Sequence, residues 1–141
     1  CDTINLKIEI TESILAMDHP VIRSNLEQLR KAGISIAFDD FGTGFSSLSY
    51  LDKFPVDSIK IDRVFVQKLT AGSNSRAVIE AMGLIAQQLN LDVIVEGVED
   101  QASLEQIRGL TPVTGWQGFL FSRPFRLKTL NNTPGNFQEN C

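Results

Sequence analysis

Five short apolar runs recur along the chain, and each meets charged or hydrogen-bonding side chains at its carboxyl end. Residues 4–10 carry Glu9 and lead to Glu12; residues 34–38 lead to Asp39 and Asp40; residues 58–61 carry Lys60 and lead to Asp62. Residues 92–95 lead to Glu96 and Glu99, and residues 118–121 follow Gln117. Strands alternating with helical segments predict a parallel sheet built through crossover connections. In such folds ligands bind at the carboxyl edge of the sheet, so these ends are where chemistry is expected to collect. An open doubly wound sheet and part of an eight-stranded barrel both accommodate five strands, and periodicity does not separate them.

Between the runs, Asp18 or His19 is placed to cap a helix with Pro20 in its first turn, an apolar stripe at Ile22, Leu26 and Leu29, and Gly33 as its stop. Residues 46–54 read as a short helix ended by Pro55, and residues 62–68 as a helical turn. The strongest helix is expected over 76–89, with Val78, Ile79, Met82, Ile85, Ala86 and Leu89 on one face. Asp100 is placed to cap a helix over 101–110 that buries Leu104, Ile107 and Leu110. From Leu127 the chain turns polar, which divides it into a domain over 1–125 and a poorly ordered tail over 126–141.

The stretch Asp39-Asp40-Phe41-Gly42-Thr43-Gly44 concentrates the chemistry. It reads as a buried strand turning into a loop, and two adjacent carboxylates at a strand end repel unless a cation holds them. The other reading is that Asp39 and Asp40 cap the following helix. The glycines permit a tight turn, but the spacing is not that of a phosphate-cradling loop.

Composition narrows the options. A formal charge of -4 leaves no basic stripe for a nucleic-acid polymer or an anionic membrane. No apolar run reaches the ~18 residues of a membrane span. The two cysteines are Cys1 and Cys141, read as free thiols in a reducing cytoplasm rather than a disulfide framework. His19, the single histidine, precedes a helix and reads as a surface residue, so no Ser-His-Asp set can be assembled around it. Several carboxylates with one lysine select oxygen-preferring Mg²⁺ or Mn²⁺ over zinc, and two-metal hydrolysis of a phosphodiester fits these parts.

Glu9-Ile10-Thr11-Glu12-Ser13, the Asp39–Gly44 stretch, Ile59-Lys60-Ile61-Asp62, Glu96-Gly97-Val98-Glu99 and the run from Gln117 to Pro124 together resemble the EAL-domain family of cyclic di-GMP phosphodiesterases. The resemblance implies a partial (β/α)8 barrel of the TIM type, about five of its eight strands, and hydrolysis of cyclic di-GMP to linear pGpG with two Mg²⁺ or Mn²⁺ ions. By the same resemblance Glu9, Asp39, Asp40 and Glu96 are metal ligands, Asp39 being shared. Lys60 positions the attacking water, Glu12 holds the loop over residues 39–47, and Glu99 is a supporting carboxylate. Gln117 and Asp62 line the substrate site. The resemblance further implies a homodimer through residues 41–51. The family's Glu-Ala-Leu strand and its asparagine ligand would precede Cys1, so the chain is expected to be the latter part of a cytoplasmic phosphodiesterase domain and, taken alone, inactive. The alternative is a catalytically silent domain that binds cyclic di-GMP as a receptor.

Overall fold

The computed structural model describes residues 6–15, 17, 19–42, 47–69, 74–110 and 113–123. In chain order they form β1 (Lys7–Ile10), α1 (Glu12–Leu15), α2 (Pro20–Lys31), β2 (Ser35–Phe41), α3 (Ser47–Leu51) and β3 (Ser58–Ile61). There follow α4 (Arg63–Leu69), α5 (Ser75–Gln88), β4 (Asp92–Glu96), α6 (Gln101–Arg108) and β5 (Gly115–Gln117). All pairings are parallel, and the strands stand in the order β1-β2-β3-β4-β5. Sequential order decides between the two architectures left open by the sequence. A doubly wound sheet reverses its strand order at a switch point, whereas a barrel adds each strand beside the last.

The helix signals act where they are expected. The His19 Nδ1 accepts from the Val21 amide at 3.3 Å, Pro20 opens α2, and Asp100 accepts from the Ser103 amide at 2.7 Å to cap α6. The helices cover one face of the sheet with Ile10, Ile36, Phe38, Ile59, Ile61, Val93 and Val95, all within a single buried core. Leu26 from α2, Ile79 and Ala86 from α5, and Leu104 and Ile107 from α6 pack into it. Among the described residues, no helix is long and apolar enough to cross a membrane.

Four boundaries differ from expectation. Asp39 and Asp40 are not in a loop: β2 continues through them to Phe41. The register advances from Phe38 opposite Ile59 to Phe41 opposite Ile61, so β2 carries one extra residue, and Asp40 absorbs it with φ 56°. A regular strand would send Phe38 and Phe41 to opposite faces; the bulge brings their rings to 5.6 Å instead. The last strand is Gly115–Gln117, and residues 118–121 turn away. Gly118 lies so close to the Val98 backbone that a Cβ would collide with it, and Leu120 donates to the Val98 carbonyl at 3.1 Å. The strand edge is therefore at Gly115–Gln117, while Phe119 and Phe121 are exposed. Leu89 falls at the C-cap of α5 and is exposed. Glu12 begins a short helix that the sequence reading did not anticipate. The polar tail lies outside the described residues.

Candidate active site

Pairing places five of the chemistry-bearing side chains on one face. Glu9 stands opposite Ala37, Ala37 opposite Ser58, and Ser58 opposite Asp92, with Glu96 opposite Gln117. Because side chains alternate, Glu9, Asp39, Lys60, Glu96 and Gln117 share the face turned away from the helices. Small residues, Ala37, Ser58 and Gly115, lie on the same face toward the amino edge. Chemistry thus accumulates at the carboxyl edge.

At its centre is Lys60, only 2% exposed. Its ammonium lies 2.7 Å from Glu9 Oε1, 2.5 Å from Glu96 Oε1 and 3.3 Å from Asp39 Oδ1. Burial alone would push this amine's pKa down. Hydrogen bonds to Glu9 and Glu96, with the charges of Glu96 and Asp39, outweigh burial and hold it above the usual lysine value. The ammonium therefore stays charged across the neutral range. It serves as a fixed cation and donor, and it is unsuited to act as a general base.

One lysine does not balance what surrounds it. Asp39 Oδ1 is buried and, although near Lys60, receives no hydrogen bond. Burial raises the Asp40 pKa, and so do the Asp39 charge and the hydrogen bond and charge of Asp62, which Lys60 only partly offsets. Asp62 also accepts from the Val64 amide at 2.7 Å, holding the start of α4. An all-oxygen, negatively charged donor set with one unanswered buried oxygen has the chemistry of a site for a hard divalent cation. Among the described residues no three of these carboxylates close on one point as a ready ligand set. Lys60 stands between them.

The remaining expected residues are distributed less tightly. Gln117 ends β5, and Glu99 follows β4; both are exposed and line a cleft beside the cluster. Glu12 is half-buried at the start of α1, and part of the loop assigned to it, residues 43–46, lies outside the described residues. Phe41 and Leu51, at the ends of the segment expected to pair two subunits, belong to the core. Two residues of the cleft, Arg63 and Phe119, were not singled out in the sequence. The signal for Arg63 was its position directly after a strand end, next to Asp62.

Residues 1–124 match the family described as EAL domain. Cyclic di-GMP phosphodiesterase NbdA of Pseudomonas aeruginosa is 40% identical over 125 residues, 89% of this chain and 16% of that protein. The PaMucR phosphodiesterase in complex with cyclic di-GMP superposes with a TM-score of 0.77 at 40% identity, over 89% of this chain and 50% of that one. Klebsiella pneumoniae BlrP1, solved with manganese and cyclic di-GMP, gives a TM-score of 0.75 at 35% identity, over 84% of this chain and 30% of that one. Solved EAL domains are TIM-type barrels, and the five parallel strands described above correspond to part of one. The chain spans only 15% to 20% of the length of the first curated relatives it matches.

Proposed function

This chain belongs to the EAL-domain family, and we propose that it contributes the carboxyl-edge cluster of a cytoplasmic phosphodiesterase opening cyclic di-GMP to linear pGpG. The observation that supports this most directly is the buried Lys60 ammonium held among Glu9, Asp39 and Glu96. Glu9, Asp39, Asp40 and Glu96 would hold Mg²⁺ or Mn²⁺, with Asp39 shared between two ions. When bound, such ions supply neutralisation of the phosphate and acidification of a water. Lys60 donates a hydrogen bond that orients the attacking water and favours negative charge as it develops. Asp62 anchors α4 beside Asp40, and Glu12 supports the loop that follows β2. Gln117 lines the substrate site, and Glu99 is a supporting carboxylate at the edge of the cluster. Two copies would pair through the region of residues 41–51, of which Phe41 and Leu51 lie in the core; light scattering on the intact protein tests it.

The deciding experiment is release of pGpG from cyclic di-GMP by the intact protein with Mn²⁺, followed by chromatography, in parallel with Lys60→Met. Turnover should fall by about 10²- to 10⁴-fold in the variant, with cyclic di-GMP binding retained. Turnover unchanged in Lys60→Met would remove the role given to the lysine. Wild-type protein that binds cyclic di-GMP without releasing pGpG would replace the enzyme by a receptor.

A further inference from the structure

The end of β2 is held from outside the sheet. Asp39 and Asp40 lie in the bulge between the paired residues Phe38 and Phe41, where the ladder does not fix them. Asp40 and Gly42 both have positive φ, 56° and 91°, and glycine brings the backbone no conformational restraint of its own. What holds this segment in place must therefore come from packing.

Two helices that pack on each other, α4 and α5, supply it. Asp62, directly before α4, shares a hydrogen bond with Asp40. One turn on, Phe65 of α4 stands against Gly42, its Cε2 3.4 Å from where a Cβ would be. Met82 comes closer still from α5: a Cβ on Gly42 would strike its methyl and lie 3.1 Å from its sulfur. Met82 is buried and Phe65 packs against the same core. Both side chains bear directly on backbone, with no intervening side chain to yield.

We propose that Met82 and Phe65 are positioning residues for a divalent cation: by bracing Gly42 they fix the end of β2, and with it the placement of the Asp39 and Asp40 carboxylates. This rests on the reading of those carboxylates as metal ligands. A hard octahedral cation accepts its oxygens only over a narrow range of distance, so a small displacement of either carboxylate weakens binding. Met82→Ala empties the space on which Gly42 rests and lets the segment shift, while every charged group of the cluster stays in the chain. A change in metal affinity then reports geometry. Leucine, close to methionine in volume, keeps the brace.

The test is titration of Mn²⁺ into the metal-free intact protein, read from the electron paramagnetic resonance of the free ion, so that turnover plays no part. Met82→Ala should weaken Mn²⁺ by about tenfold or more, and Met82→Leu should bind it as the wild type does. Ile107→Ala, a truncation in the part of the core contributed by α6, should lower the denaturation midpoint and leave Mn²⁺ affinity unchanged. Phe65→Leu trims the other half of the brace at a half-buried position and should weaken Mn²⁺ by a smaller factor; it decides the matter should Met82→Ala not fold. Unchanged affinity in Met82→Ala, or in Phe65→Leu where that variant has to serve, would overturn the inference and leave the metal reading standing. An equal loss of affinity in Ile107→Ala would do the same, since the effect would then be one of general destabilisation. Wild-type protein that takes up no Mn²⁺ would overturn both.

Discussion

The two edges of the sheet handle polar groups in opposite ways. At the amino edge, Asp57 receives the Arg30 guanidinium at 2.6 Å and the Ile36 amide at 2.8 Å, and its own carbonyl accepts from the Asp92 amide at 3.1 Å. Thr114 likewise accepts from the Val93 amide at 2.9 Å and donates to the Val93 carbonyl at 3.1 Å. Apart from the buried Ser58 hydroxyl, which lacks a partner, these groups join neighbouring strands. At the carboxyl edge carboxylates outnumber the one buried lysine, a buried Asp39 oxygen receives no hydrogen bond, and Asp40 adopts φ 56°. Polar groups that answer one another build a fold. Those left in excess are available to a ligand.

The largest test of this contrast is Lys60→Met. Besides the loss of turnover, it leaves Glu9, Asp39 and Glu96 facing one another without their cation. Breaking a buried ion pair costs about 3–5 kcal/mol. The lower end is expected here, because the Glu9 side chain is 44% exposed and solvent screens part of the repulsion. Chemical denaturation should show that loss, and added Mn²⁺ should restore more stability to the variant than it adds to the wild type. A variant as stable as its parent would mean that the carboxylates do not depend on the ammonium.

Asp57→Ala probes the other edge. It removes the Arg30 pair and leaves the Ile36 amide without its acceptor, a loss of about 2 kcal/mol given partial solvent access. The expected signature is a lower denaturation midpoint with the rate constant for cyclic di-GMP hydrolysis unchanged below that midpoint. A fall in rate at full folding would show that the edges are coupled and the division between them false.

How much of this arrangement was legible depended on the range of the interaction. The His19 and Asp100 caps, the strand Ser58–Ile61 and the buried faces of α2 and α6 follow from neighbours a few residues apart, and sequence patterns report such neighbours directly. The carboxyl-edge location of Glu9, Asp39, Lys60 and Glu96 was also legible, because strand ends bracket them. The bulge at Asp40 was not. It depends on how β2 registers against β3, a pairing between distant residues. The end of β5 was misplaced because Gly118–Phe121 has the composition of a strand, while the close passage of Gly118 over Val98 makes it a turn. Arg63 stands directly after a strand end, but its place in the cleft depends on the close approach of Gly97, which is distant in sequence.

The smallest expected effect is also the most discriminating. Asp40→Asn should raise stability at neutral pH while abolishing hydrolysis. The Asp40 carboxyl is shifted up by burial, by Asp39 and by Asp62, so it binds its proton more tightly in the folded than in the unfolded chain. That proton favours the fold below the unfolded value of about 3.9, and its contribution is lost as pH rises through the folded value. At neutral pH the ionised side chain therefore weighs against folding. Asparagine removes the charge and, with aspartate, is among the few residues beside glycine that tolerate the left-handed backbone at this position. The gain over wild type should be greatest at neutral pH and vanish below about pH 4, where Asp40 is itself neutral. Denaturation midpoints of both proteins across that range measure it. An Asp40→Asn protein less stable than wild type at neutral pH would mean that this carboxylate is held for the fold, as Asp57 is, and that the excess charge at the carboxyl edge is not the strain that ligand binding relieves.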